Sequence, residues 1–206
     1  MEEKKYSIEE EIANSISHTF GVMFSIYAIV MMAVKSSNPT EAATSAIFGA
    51  TMFILFQCSA CYHAIMNEKA KKVFQKIDHS AIYVLIAGTY TPVLLLTVPA
   101  PYSVAIMAMI WYLAVLGIVF SCISVKSKHI GTGIYMIMGW MSLALVYYIW
   151  TNGGHLAVAY LLGGGLLYSF GAIFYLLKYK YMHTIWHLFV LAGVVMHYLC
   201  ILELLK

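Results

Sequence analysis

The chain has 206 residues, 62% of them hydrophobic and 10% charged, with a mean hydropathy of +0.83. Ordinary soluble domains are roughly 45–50% apolar and about 25% charged, and twelve Lys with no Arg, against nine acids, cannot clothe a water-soluble globule of this size. A soluble enzyme, a disordered chain and a nucleic-acid binder with a dense basic face are excluded, and the chain reads as an all-α integral membrane protein.

A helix needs about 20 apolar residues to cross roughly 30 Å of hydrocarbon. In chain order, Ser7 and Glu10 have capping-box spacing and predict a helix start that leads into the first apolar segment. The start of the chain, Met1 to Tyr6, is charged and carries acids, so no cleaved signal peptide is expected ahead of that segment. Reading between charged or turn-forming breaks then gives seven spans: 14–34, 43–66, 79–98, 101–124, 131–151, 156–177 and 183–204. The breaks are short: 35–41, 67–76, 99–101, 126–129, 151–154 and 178–180. A single seven-transmembrane bundle over 1–206 is expected, with no room for a soluble domain and no internal repeat. Cys58, Cys61, Cys122 and Cys200 all fall in apolar stretches, so Cys58-x-x-Cys61 is expected to pack helices rather than to carry redox or zinc-ribbon chemistry.

Lysines set the expected orientation. Lys4, Lys5, Lys69, Lys71, Lys72, Lys76, Lys126, Lys128, Lys178 and Lys180 fall on one side of the seven spans, and only Lys35 and Lys206 on the other. The positive-inside rule places the N-terminus in the cytoplasm and the C-terminus outside, in the cell (inner) membrane as a multi-pass protein. The same lysines also suit anionic lipid headgroups, so membrane lipids are the expected partners and nucleic acid is not.

Ionisable side chains inside a membrane cost ~2.5–3.5 kcal/mol each at the centre and call for a partner or a task. Asp78 opens the third span at its cytoplasmic edge, where His18, His63, His79, His183 and His187 gather from four different spans. His183 and His187 are four apart, on one helix face, and can close on one metal ion; Ser59 and His63 share that offset. Three neutral imidazoles with an open fourth position form a common catalytic zinc shell. A zinc ion there would lower the pKa of a bound water toward ~7, and Asp78 could hold that water and accept its proton. The alternative is ordinary hydrogen bonding across helices. His129 and His155 read as solvated loop residues, and His197 as a helix-packing donor rather than a fourth ligand. Gly163, Gly164, Gly165 and Gly171 read as points of close helix approach, Gly88 and Pro92 as a kink.

Three motifs together resemble the hemolysin III family of the progestin and adipoQ receptor superfamily: Ser59-Ala-Cys-Tyr-His63, Asp78-His-Ser-Ala-Ile-Tyr83 with Ala87-Gly-Thr-Tyr-Thr-Pro92, and His183-Thr-Ile-Trp-His187. Glu10-Glu-Ile-Ala-Asn-Ser-Ile-Ser-His18 looks like the family's N-terminal signature. The resemblance implies a seven-helix bundle with Zn2+ near the cytoplasmic face, held by His63, His183 and His187, with catalytic Ser59 and Asp78 around the metal-bound water. It departs from the animal receptors in lacking a long soluble N-terminal region. The function this implies is hydrolysis of a lipid amide, as in ceramidase-like relatives. The rival expectations are a hemolysin or channel-like permeabilising protein, and a non-catalytic sensor of lipid state in which zinc is structural.

Overall fold

The computed structural model describes residues 6–123 and 128–205, with the side chains of Lys128 and His129 outside the described set. Lys4, Lys5, Lys126 and Lys206, which bear on the expected orientation, also lie outside it. The described residues form helices and connecting turns: α1 (Ile8–Lys35), α2 (Pro39–Ala64), α3 (Glu68–Thr97), α4 (Tyr102–Ile123), α5 (Lys128–Trp140), a 3₁₀ segment (Met141–Leu145), α6 (Val146–Leu176) and α7 (Met182–Leu204).

Local sequence explains the helix starts. Ser7 and Glu10 close a capping box at α1. Asn38 caps α2, with its Oδ1 accepting from the Glu41 amide at 3.0 Å and Pro39 at the first helical position. Asn67 caps α3 by accepting from the Lys69 and Ala70 amides at 3.1 and 3.0 Å. The predicted break 67–76 is therefore mostly helix: α3 begins at Glu68, so Asp78 stands ten residues inside it rather than at its mouth. Charged residues such as Glu68, Lys69 and Lys71 interrupt an apolar run without opposing a helix. α3 runs through Gly88 and Pro92, and Gly88 serves close approach to Thr51 of α2.

Among the described residues six runs are long and apolar enough to cross a membrane, where the sequence predicts seven; Ile130–Leu176 forms one run of 47 residues. The expected break at 151–154 narrows to a single residue, Gly154, whose φ of 71° and ψ of −166° depart from the helix. Glycine alone takes this conformation without a steric penalty. The part of the run before Gly154 lies along α3: the Tyr135 hydroxyl donates to the His79 carbonyl (3.1 Å), the Tyr90 hydroxyl to the Met138 carbonyl (2.7 Å), and the Asn152 amide to the Thr97 carbonyl (3.3 Å). The part after it packs on α7, with Gly164 against His197 and Gly171 against Trp186 and Phe189. The glycines of α6 thus allow close approach, as small residues do between membrane helices.

α1 is inverted relative to the amphipathic helices of a soluble protein. α1 buries Glu11, Asn14, Ser17, His18 and Ser25 while Ile12, Ile16, Phe20 and Val30 are exposed. Helices with a polar inner face and an apolar outer face suit a lipid surrounding, and the chain is a multi-pass helical membrane protein. Two apolar clusters fill the interior, one around Tyr83, Ile110, Ile149 and Leu161, the other around Met32, Phe48, Phe56, Val194 and Ile201. All four cysteines are free thiols.

Candidate metal centre

The end of α2 and the start of α7 meet the first turns of α1. His63 is the next-to-last residue of α2, His183 and His187 occupy the first two turns of α7, and their ligand nitrogens lie within 4.8 Å of one another. The His183 Nε2 sits 3.3 Å from His63 Nε2 and 3.1 Å from His187 Nε2. His63 and His187 are buried to 1% and 2% exposure.

The outer ring nitrogens decide what the inner ones carry. His63 Nδ1 lies 2.6 Å from Glu11 Oε2, an acceptor, and so donates its hydrogen. His187 Nδ1 lies 3.1 Å from the Asn14 carbonyl oxygen and 3.0 Å from Ser17 Oγ, whose own hydrogen goes to that same carbonyl at 2.8 Å. Both rings therefore turn an Nε2 lone pair inward, toward His183. One proton on His183 could satisfy only one of them, whereas a cation satisfies all. The two Nε2 separations also match the edge of a tetrahedron whose centre-to-nitrogen distance is about 2.0–2.1 Å, the zinc–imidazole length. The donor set fits a small divalent ion.

Ser59 and Asp78 adjoin each other and line one cavity with His183 and His187. Ser59 Oγ is buried. The cavity has a volume of about 130 Å³ and a largely apolar wall, including Leu85, Val93, Leu161 and Trp186. Its lining on α3 extends from Asp78 to Val93, roughly 22 Å at about 1.5 Å per residue.

The other histidines divide as follows. His18 stacks on His187 with ring centroids 3.6 Å apart, and neither of its nitrogens has a hydrogen-bond partner among the described residues. His79 lines the cavity. His197 also lines it, packed on Tyr168 and about 15 Å along α7 from His187. His155 is exposed, and the His129 side chain lies outside the described residues. Tyr6, ahead of α1, packs on His183 with centroids 5.0 Å apart, and burial pushes its phenol above the ordinary tyrosine range, so it stays neutral.

Sequence reasoning missed Glu11, Asn14 and Ser17 as neighbours of these imidazoles. The available signal was their spacing: Glu11, Asn14 and His18 fall at i, i+3 and i+7, one helical face of the N-terminal signature.

An all-helical membrane protein with a buried histidine triad beside an acid and an apolar cavity narrows the class. Residues 6–198 match the family described as Haemolysin-III related. The chain is 43% identical over 201 residues to Hemolysin-3 of Bacillus cereus, covering 95% of this chain and 91% of the relative. It is 40% identical over 202 residues to the Hemolysin-3 homolog of Bacillus subtilis (strain 168), covering 96% and 95%. It is also 30% identical over 200 residues to the human Monocyte to macrophage differentiation factor, covering 93% and 83%. The chain belongs to the haemolysin-III related family, within the progestin and adipoQ receptor superfamily.

Proposed function

We propose that this chain is a zinc-dependent hydrolase of lipid amides, embedded in the cell membrane with its metal centre near the cytoplasmic face. The observation that carries this reading is the meeting of three imidazole Nε2 atoms beside Ser59 and Asp78 at a long apolar cavity. His63, His183 and His187 would hold the ion, which supplies Lewis-acid activation of a carbonyl and of a water. The cavity wall accepts an acyl chain and excludes bulk water from the reacting amide. A carboxylate oxygen of Asp78 takes the proton of the attacking water and returns it to the leaving amine nitrogen. Ser59 Oγ, buried beside Asp78 and without a hydrogen-bond partner among the described residues, is the hydroxyl available to orient that carboxylate once a substrate is bound.

In this reading the chain crosses the membrane seven times, starting in the cytoplasm and ending outside. Support comes from the 47-residue run, long enough for two crossings and broken at Gly154, and from Lys69, Lys71, Lys72, Lys76, Lys178 and Lys180 standing at the triad end with Lys35 at the opposite one.

The test is release of free fatty acid from ceramide and other lipid amides by purified protein. Asp78→Asn should lower turnover by roughly 10²–10⁴-fold, the usual span of general acid–base catalysis, and His63→Ala should abolish bound zinc and turnover together. Absence of turnover across a panel of lipid amides overturns the hydrolase. A second reading, membrane permeabilisation, has the names of the Bacillus relatives in its favour. Dye release from liposomes that persists in His63→Ala would select it.

A further inference from the structure

The metal centre has a second layer, and α1 supplies it. Three features of that helix face the triad at once: the Glu11 carboxylate on His63 Nδ1 at 2.6 Å, the Asn14 carbonyl on His187 Nδ1 at 3.1 Å, and Ser17 Oγ beside the same nitrogen at 3.0 Å. Glu11 is 9% exposed, and its other oxygen pairs with Lys71 Nζ of α3 at 2.8 Å. The Asn14 side chain is engaged too, its Oδ1 accepting from Thr184 Oγ1 of α7 at 2.6 Å. A buried carboxylate is costly unless its charge is answered. Here it answers two cations in turn: Lys71 on one side and, through the His63 ring, an ion on the other.

We propose that Glu11 is a positioning residue for the metal: it fixes the tautomer and plane of His63, while Asn14 and Ser17 do the same for His187, so that α1 sets the affinity of a triad to which it contributes no ligand. This rests on the reading of the triad as a zinc site, and not on the hydrolase chemistry. Its physical basis is that a histidine ligand holds metal best when its far nitrogen is fixed by a carboxylate or carbonyl, and loss of such a partner typically weakens metal binding by about 10–100-fold. It also accounts for the burial of polar residues on a helix whose opposite face is apolar. The rival is a purely structural role, in which Glu11 ties α1 to α2 and α3 through His63 and Lys71.

The two separate experimentally. Zinc affinity of the purified full-length protein is measured by competition with a chromogenic chelator, alongside the electronic spectrum of the cobalt-substituted protein. Wild type should bind one ion. Glu11→Ala should bind zinc roughly 10–100-fold more weakly, and Glu11→Gln, which keeps a hydrogen-bond acceptor without the charge, about 10-fold more weakly. Both should shift the cobalt spectrum at saturating metal. Lys71→Met removes the structural tie but leaves the Glu11–His63 contact, so it should lower thermal stability while leaving the cobalt spectrum unchanged. If Glu11→Ala does not fold, Glu11→Gln decides alone. Wild-type affinity and spectrum in the Glu11 variants overturn the positioning role and leave the zinc site standing. Failure of wild type to bind a divalent ion overturns both.

Discussion

At the scale of single residues, the interior depends on side chains that are missing. A Cβ on Gly21 of α1 would fall on the ring of Phe56, which is fully buried in α2, and one on Gly117 of α4 would fall on Tyr83 of α3. Backbones approach at these points because nothing projects between them, and packing is a main source of helix association in lipid. Gly21→Leu is expected to lower stability in detergent by about 1–3 kcal/mol, the usual cost of overpacking, read as a fall in Tm. Gly133→Ala, where a Cβ meets nothing of the described residues within 4 Å, is the control and should leave Tm unchanged or raise it. The histidines were the legible residues: an imidazole in an apolar span is conspicuous, and i, i+4 spacing by itself puts His183 and His187 on one helix face. Glu11 was not legible. A carboxylate in the first turn of a helix is also what the helix dipole favours, so its sequence position does not distinguish that service from contact with His63.

At the scale of elements, Glu10 joins two helix starts. Its Oε2 accepts from the Ser7 amide at 3.0 Å in the capping box of α1, and its Oε1 accepts from the Tyr181 amide at 3.0 Å, where α7 begins. Tyr181 needs that help, because it enters α7 with φ of 62°, a left-handed conformation unfavourable for a residue with a Cβ. Two turns later α7 has delivered both of its triad histidines. Glu10→Ala is expected to cost about 1–2 kcal/mol, in the range of losing a helix cap, and to speed hydrogen exchange across 178–185 ahead of the rest of α7. Exchange unchanged in that segment would show that α7 starts without Glu10. Helix ends were the poorly legible part of the fold, and for one reason. Apolarity marks where lipid begins, whereas capping and propensity mark where a helix begins, and at α3 these differ by eleven residues, Glu68 against the expected 79. Asp78 accordingly lies a few turns inside a helix and lines a cavity, while standing next to the expected lipid boundary at 79.

At the scale of the molecule, the arrangement is set by which ends meet. Glu10 holds the start of α1 against the start of α7, Glu11 reaches His63 at the close of α2, and Lys71 brings in the start of α3. At the opposite end, Lys35 Nζ donates to the Leu202 carbonyl at 2.5 Å, closing the end of α1 on the end of α7. α1 and α7 therefore run in the same direction, which agrees with the odd number of crossings in the proposed topology. In that proposal one of the six apolar runs among the described residues doubles back, and Ile130–Leu176 has the length and, at Gly154, the backbone break to do so. The seven-crossing topology accordingly predicts that a tag placed before α1 and a tag placed after α7 are exposed on opposite sides of the membrane. In intact cells an impermeant reagent should label the tag after α7 and reach the tag before α1 only once the membrane is opened, as the proposed orientation expects. Gly154→Val should disturb the reversal by forcing a β-branched residue into positive φ, lowering the yield of folded protein before it changes any chemistry at the triad. Labelling of both tags from the same side would mean an even number of crossings, with 130–176 spanning the bilayer once, and the contacts of its two parts with α3 and α7 could not then both lie within the membrane.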